Sequence, residues 1–185
     1  MKKIIISLLF TIFVIFSNGQ VTIAEPDFIG ETVVVKKDKT SQLLEKQTIK
    51  IKTKAGAGVY IFGVGKIKSK INVTGCCSSV RLTAGEPITL IIKAVDNLTD
   101  PMSIISIFKF EKTKKERKAE ISSTGTFEGD SQNNLNIVSF TASKYGKNSY
   151  LIKIDAAVAG EFGIIVKNPN VLNNANTIVA CYGVD

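Results

Sequence analysis

The chain has 185 residues, and its 24 basic and 16 acidic side chains give a formal net charge of +8; it contains no histidine and no tryptophan. The absence of histidine excludes sites of the Ser-His-Asp, Cys-His and HExxH types and every histidine-ligated metal site. No other side chain with an ordinary pKa titrates near neutrality. Carboxylate-pair chemistry of the glycosidase type and Ser-Lys chemistry stay open, but no motif marks either of them. The composition therefore favours a non-enzymatic protein, and we predict no metal site and no cofactor.

Residues 1–19 have the pattern of a secretory signal peptide. Lys2 and Lys3 precede an apolar run at residues 4–16, which is shorter than the ~20 residues that a membrane-spanning helix needs. Ser17 and Gly19 are small residues at the two positions that signal peptidase reads. We therefore expect cleavage after Gly19 and export of residues 20–185 to the periplasm or the cell exterior, with no membrane span.

Beyond the signal peptide, short runs of β-branched and aromatic residues alternate with Gly, Asn, Asp and Lys clusters, and no stretch has helical periodicity. The predicted strands are 31–36, 47–53, 59–64, 66–73, 79–82, 88–95, 104–110, 118–122, 136–142, 150–154, 162–166 and 177–183. So many short strands predict an all-β fold, an antiparallel β-sandwich.

Residues 84–185 would suffice for an immunoglobulin-like sandwich, which places the extra strands in the N-terminal part. The segment 158–164 resembles the turn and aromatic entry into a late strand of such domains, with Phe162 where a tyrosine is usual. Residues 20–82 either add strands to the same sandwich or form a small β-subdomain packed on it. We favour a single unit over residues 20–185, because no Pro- or Ser-rich linker divides it.

Two predicted strands carry alternating lysines. They are Lys50, Lys52 and Lys54 on one strand and Lys66, Lys68 and Lys70 on the next. Strand geometry places each trio on one face, opposite the apolar residues between its members. Such a face could bind an anionic glycan, a lipid head group or an acidic protein. Alternatively, the lysines only discourage strand edges from pairing with other chains.

Other polar segments are interpreted as turns. Residues 96–101 are predicted to form a hairpin turn, with a calcium loop as the less favoured alternative. The charged run 109–118 is predicted to be a solvated hairpin tip, and its interleaved Glu111 and Glu116 disfavour nucleic-acid binding. The glycines of segment 55–65 lack the Gly-Lys-Ser/Thr ending of a phosphate loop and are interpreted as turn and bulge residues.

Three cysteines, Cys76, Cys77 and Cys181, are an odd set for an exported protein. One disulfide to Cys181 is the hypothesis that we carry forward. On a continuous strand Cys76 shares its face with Val80, so Cys76 rather than Cys77 is the expected partner. Three reduced, buried cysteines are the alternative.

Several short segments resemble parts of small exported proteins of Bacteroidota-type bacteria, a group with no assigned activity. These segments are 23–30, 44–47, 144–146, 160–163 and 181–185. The resemblance implies an exported protein and transfers no functional residue.

The sequence thus supports three hypotheses. The first is an exported, non-enzymatic β-sandwich that binds an anionic partner at the cell envelope through its lysine rows. The second is a structural or assembly subunit that pairs through edge strands. The third is a carboxylate-based glycan-active enzyme.

Overall fold

The computed structural model describes residues 23–55, 66–125, 132–168 and 178–185. The predicted signal peptide, the predicted strand 59–64 and the glycine-rich segment around it lie outside the described residues. Within this part of the chain, no helix is long and apolar enough to cross a membrane.

The described residues form fifteen strands and one four-residue helix. The strands are β1 (Thr32–Val35), β2 (Ser41–Leu43), β3 (Glu45–Thr48), β4 (Lys50–Ala55), β5 (Lys66–Thr74), β6 (Arg81–Leu82), β7 (Ile88–Lys93), β8 (Ile105–Lys112), β9 (Glu116–Gly125), β10 (Gln132–Asn133), β11 (Asn136–Ile137), β12 (Thr141–Tyr145), β13 (Ser149–Ile154), β14 (Gly160–Val166) and β15 (Ile178–Val184); the helix is α1 (Pro101–Ile104). The predicted all-β, antiparallel sandwich is confirmed at this level. The immunoglobulin-like arrangement of residues 84–185 stays a prediction.

The strands make two sheets. The smaller sheet has the order β12, β13, β7, β1, β2, and the larger has β3, β15, β14, β8, β9, β5, β4 along its main path. In the larger sheet β6, β10 and β11 pair with β15, β9 and β8. All pairs are antiparallel except β6 with β15. Both sheets combine strands from before and after residue 84: β1 and β2 lie beside β7 in the smaller sheet, and β3, β4 and β5 lie at the two ends of the larger one. The N-terminal strands therefore extend sheets whose other strands come from the C-terminal part.

The larger sheet folds back on itself at the β8–β9 hairpin. The two strands pair only beside their turn, at Glu111 with Lys118 and Lys112 with Arg117. Beyond these pairs the strands diverge, yet Phe110 of β8 and Ala119 of β9 pack in one apolar cluster. The β9–β5–β4 part of the sheet therefore covers the outer face of its β8–β14–β15 part.

Two apolar cores result from this three-layer arrangement. The first lies between the two sheets and includes Leu90, Ile152 and Phe162. The second lies inside the fold of the larger sheet and includes Ile71 and Phe108. Strands β8, β14 and β15 contribute alternate residues to both cores, which explains why their sequences are apolar almost throughout.

Segment 96–101 is not the predicted hairpin turn. It connects β7 of the smaller sheet to β8 of the larger one, so the flanking apolar strands do not pair. Asp96 accepts a hydrogen bond from Leu98 N (2.9 Å), and Asp100 caps α1 by accepting one from Met102 N (2.9 Å). These aspartates act in local capping. The described residues contain no cluster of three or more Cys, Asp or Glu that could hold a metal.

The N-terminal segment is attached to the turn between β12 and β13 through Glu25. Its carboxylate accepts hydrogen bonds from Lys147 N (2.6 Å), Asn148 N (3.0 Å) and Ser149 Oγ (2.6 Å), and it pairs with the Lys93 ammonium (3.1 Å). The Ser149 and Lys147 hydrogen bonds lower the pKa of Glu25 to about 2, although burial opposes the shift. The carboxylate is therefore ionised at all physiological pH values.

We expect Glu25→Gln to lower the free energy of unfolding by about 1–2 kcal/mol at pH 7, because the amide keeps the shape but loses the charge-assisted bonds. A carboxylate whose pKa is lower in the folded state stabilises the protein above its unfolded pKa, and this stabilisation is lost as pH falls from about 4.5 towards about 2. Urea titrations of both proteins at pH 7 and pH 3 check this. A difference between them that is as large at pH 3 as at pH 7 would contradict it.

Candidate functional site

The register of β4 against β5 brings the two lysine rows together. Lys52 lies opposite Lys70 and Lys54 opposite Lys68, while Lys50 faces Asn72. Residues directly opposed in an antiparallel pair occupy the same face of the sheet. The positions of Lys50, Lys52, Lys54, Lys66, Lys68 and Lys70 thus share one face, which we call the basic face.

The basic face is turned away from the second core. Ile71 and Val73 of β5 are almost completely buried in that core. Lys68 and Lys70 have the opposite parity and keep 47% and 39% of their side chains exposed. Among the described strands, β4 is the last of its sheet, so the basic face extends to the edge of the described sheet.

Glu120 of β9 is an acidic residue inside this face. A register shift between Ser69 and Lys70 places Glu120 opposite Lys70, since β9 carries one extra residue there, Ile121. The Glu120 carboxylate lies 3.1 Å from the Lys68 ammonium and 3.7 Å from that of Lys70. The hydrogen bond from Lys68 is the main reason that its pKa lies below the ordinary value, and burial opposes the shift. Two lysines of the face are therefore partly neutralised from within the protein.

The remainder of the face is polar. On β9, Lys118 pairs with Glu116 at 2.6 Å, and Asn72 of β5 donates to the same Glu116 carboxylate at 2.7 Å. None of the described side chains on this face is a large apolar one. Arranged in this way, the surface can bind a ligand by charge and hydrogen bonds without inserting an apolar group.

The charged run 109–118 is only partly the predicted solvated tip. Residues 113–115 are exposed, but Arg117 is completely buried and Lys109 is half-buried. Arg117 Nη2 donates to Glu45 Oε1 (2.9 Å), and its Nη1 lies 3.9 Å from Glu161 Oε2. The prediction failed here because β9 begins at Glu116, which places Arg117 on the inner face of the folded sheet.

A network of charged side chains extends from the buried Arg117 and Glu161 to the exposed Asp185. Glu161, 1% exposed, also pairs with Arg81, which in turn holds the carboxylate of Asp185 with an Nε hydrogen bond of 2.8 Å. Burial alone would raise the pKa of Glu45, but hydrogen bonds from Arg117 and from Ser79 N outweigh it and lower that pKa. The chain contains only these two arginines, and both bind Glu161.

The predicted Cys76–Cys181 disulfide is wrong. Cys76 pairs with its neighbour Cys77, and Cys181 is a buried free cysteine of the second core. The parity argument assumed a continuous strand, whereas β5 ends at Thr74 and the two cysteines lie in the loop that follows. A hydrogen bond from the backbone N–H of Ser78 to the Glu161 carboxylate (2.8 Å) holds that loop in place.

Thiol labelling distinguishes this pairing from the predicted one. In the unreduced native protein we expect no rapid labelling, because burial raises the pKa of Cys181 to about 12 and closes off the thiol. After denaturation without reductant, one thiol should react, and peptide mapping should place the label on Cys181. Label on Cys76 or Cys77 in that experiment would contradict the structure.

No protein-family model matches this sequence, and no curated protein is similar to it. The interpretation of the basic face therefore depends on its geometry and charge.

Proposed function

We propose that the chain is an exported, non-enzymatic protein of the periplasm or cell exterior whose basic face binds an acidic glycan. The register that sets Lys52 against Lys70 and Lys54 against Lys68 is the observation that carries this proposal. Like charges directly opposed across a sheet are destabilising, by roughly a few tenths of a kcal/mol for each pair. A bound polyanion would offset that repulsion, because it attracts both lysines of each pair.

The spacing of the lysines suits an extended ligand. Successive positions on one face of a strand are about 7 Å apart, and neighbouring strands are about 4.8 Å apart. The rows on β4 and β5 therefore form a narrow, regular grid of positive charge. A linear chain with repeated carboxylate or sulfate groups can contact several of its points at once.

Lipid and protein partners fit this surface less well. Peripheral membrane proteins combine positive charge with apolar side chains that enter the acyl boundary, and the described side chains of the basic face include no large apolar group. Protein interfaces are enriched in aromatic residues and depleted in lysine. A lipid partner remains one of the outcomes of the binding experiment.

The state of Glu120 supports a binding role over carboxylate catalysis. Glu111 and Glu120 both line a groove of about 280 Å³ between β8 and β9. A general acid needs a raised pKa, whereas the pKa of Glu120 is lowered by its bond to Lys68. This carboxylate is suited to positioning lysines and not to donating a proton.

The proposal is tested by measuring the binding of the purified mature protein to polygalacturonate, to neutral dextran and to phosphatidylglycerol vesicles. We expect binding to polygalacturonate alone, with a dissociation constant that rises at least tenfold between 0.1 M and 0.5 M NaCl, because salt screens an exposed ammonium row. Binding to the vesicles only, equal binding to dextran, or affinity that is insensitive to salt would contradict an acidic-glycan site.

A second candidate function is assembly through an edge strand. Strand β12 ends the smaller sheet, its residues are mostly exposed, and no described strand pairs with its outer edge. Such an edge can accept a strand from another chain. Replacing Ala142 with proline would remove one backbone donor from β12. If the protein forms oligomers in sedimentation experiments that this variant does not form, assembly becomes the better account.

A further inference from the structure

A pocket of about 200 Å³ lies at one end of the first core, on the opposite side of β8 and β14 from the second core. Ile88 of β7 and Ile154 of β13 line it from the smaller sheet, and Phe162 and Val184 line it from the larger one. The loop after β13 forms its rim, where Val158 is 66% exposed. The pocket is thus an apolar space between the sheets that opens to solvent.

The wall of this pocket carries two hydrogen-bond donors in one row of the sheet. Lys109, Phe162 and Tyr182 are consecutive neighbours in the register of β8, β14 and β15. The Lys109 ammonium lies 5.9 Å from the centre of the Phe162 ring and donates to Ala159 O at 2.8 Å. An ammonium has three donors, so Lys109 retains donors for a ligand.

Tyr182 supplies the second donor. Its ring stacks on Phe162 with 5.1 Å between centroids, and the residue is only 1% exposed. Its hydroxyl has no hydrogen-bond partner among the described residues, whereas the hydroxyls of Tyr145 and Tyr150 each donate to a backbone carbonyl. Tyr182 lines the pocket, which opens to solvent, and its hydroxyl is not one of the described buried polar atoms that lack a partner. A ligand that enters the pocket can accept a hydrogen bond from it.

We propose that this pocket binds a small aliphatic carboxylate, whose carboxylate accepts hydrogen bonds from Lys109 and Tyr182 and whose chain lies against Ile88, Ile154 and Val184. Apolar walls with a few placed polar groups are the usual composition of ligand sites. The volume is below the ~300–1,000 Å³ of sites for drug-sized molecules, so the class is that of short and medium-chain fatty acids. The pocket is separate from the basic face, and this site does not depend on the proposed glycan binding.

Calorimetric titration with octanoate tests the proposal, with octan-1-ol as the neutral ligand of the same chain length. We expect saturable binding of one octanoate per chain and at least tenfold weaker binding of octanol, because the alcohol brings no charge to Lys109. Binding should perturb the methyl NMR signals of Ile88 and Ile154. No saturable octanoate binding at millimolar concentration, or equal affinity for both ligands, would overturn the proposal.

Two variants assign the donors. Lys109→Met should weaken octanoate binding about tenfold and leave octanol binding unchanged, while Lys112→Met, an exposed lysine on the same strand outside the pocket, should change neither. Tyr182→Phe keeps the ring and should weaken octanoate binding at least threefold. Circular dichroism confirms that each variant is folded. Wild-type affinity for octanoate in either folded pocket variant would overturn the assigned pair of donors.

Discussion

Replacement of Arg117 by methionine is expected to reduce the free energy of unfolding by about 3–5 kcal/mol. The Arg117 guanidinium is 1% exposed and lies beside two carboxylates, those of Glu45 and Glu161. Removing it leaves negative charge in a region from which water is excluded, and the second core adjoins this region. Urea denaturation at pH 7 measures the loss.

A matched variant and a compensated variant make this result specific. Lys118→Met changes the adjacent residue, whose pair with Glu116 is about one-third exposed, and should alter stability by less than about 1 kcal/mol. Adding Glu45→Gln and Glu161→Gln to Arg117→Met should recover part of the lost stability, because the uncompensated charges are then gone. A loss below 1 kcal/mol for Arg117→Met alone would show that the buried network contributes little.

The second large effect concerns the basic face. Replacing Lys50, Lys52, Lys54, Lys66, Lys68 and Lys70 together by glutamine should abolish binding of polygalacturonate. Solvent-facing substitutions usually change stability by less than about 0.5 kcal/mol each, so the fold should persist. The control replaces six exposed lysines elsewhere and removes the same total charge: Lys36, Lys39, Lys114, Lys144, Lys147 and Lys153. Equal weakening in both variants would mean that net charge alone, and not the basic face, attracts the ligand.

Much of the strand pattern could be predicted from the sequence, because local alternation decides it. The lysine row of β5 and the apolar run of β7 are examples, and both strands were predicted within two residues of their ends. The break at Ile49 was missed: the residue is buried in the second core and separates β3 from β4, which pair with different strands. No local pattern indicates that one apolar residue is the point where a chain changes partners.

Pairing between distant strands explains the other differences. The apolar strands β7 and β8 are close in sequence and look like a hairpin, but they lie in different sheets. The position of Glu120 within the basic face depends on a bulge in β9, 50 residues beyond Lys70 in the chain. The sequence determines such features only through tertiary packing.

One signal of the buried network was present in the sequence. Of the 24 basic residues only Arg81 and Arg117 are arginines. Guanidinium is better suited than ammonium to buried pairing with carboxylates, since it is planar and more weakly hydrated. Two isolated arginines in a lysine-rich chain could therefore have been predicted to bind buried acids, although their common partner Glu161 could not.

The dissociation constant of Glu120→Gln for polygalacturonate, relative to the parent, tests the central claim most directly. The amide removes the negative charge that lies against Lys68 and Lys70 while preserving the side-chain shape. We predict at least threefold tighter binding at 0.1 M NaCl, and no such gain for Asp155→Asn, which makes the same change in net charge in the exposed loop after β13. Unchanged or weaker binding by Glu120→Gln, or an equal gain in both variants, would contradict binding at the basic face.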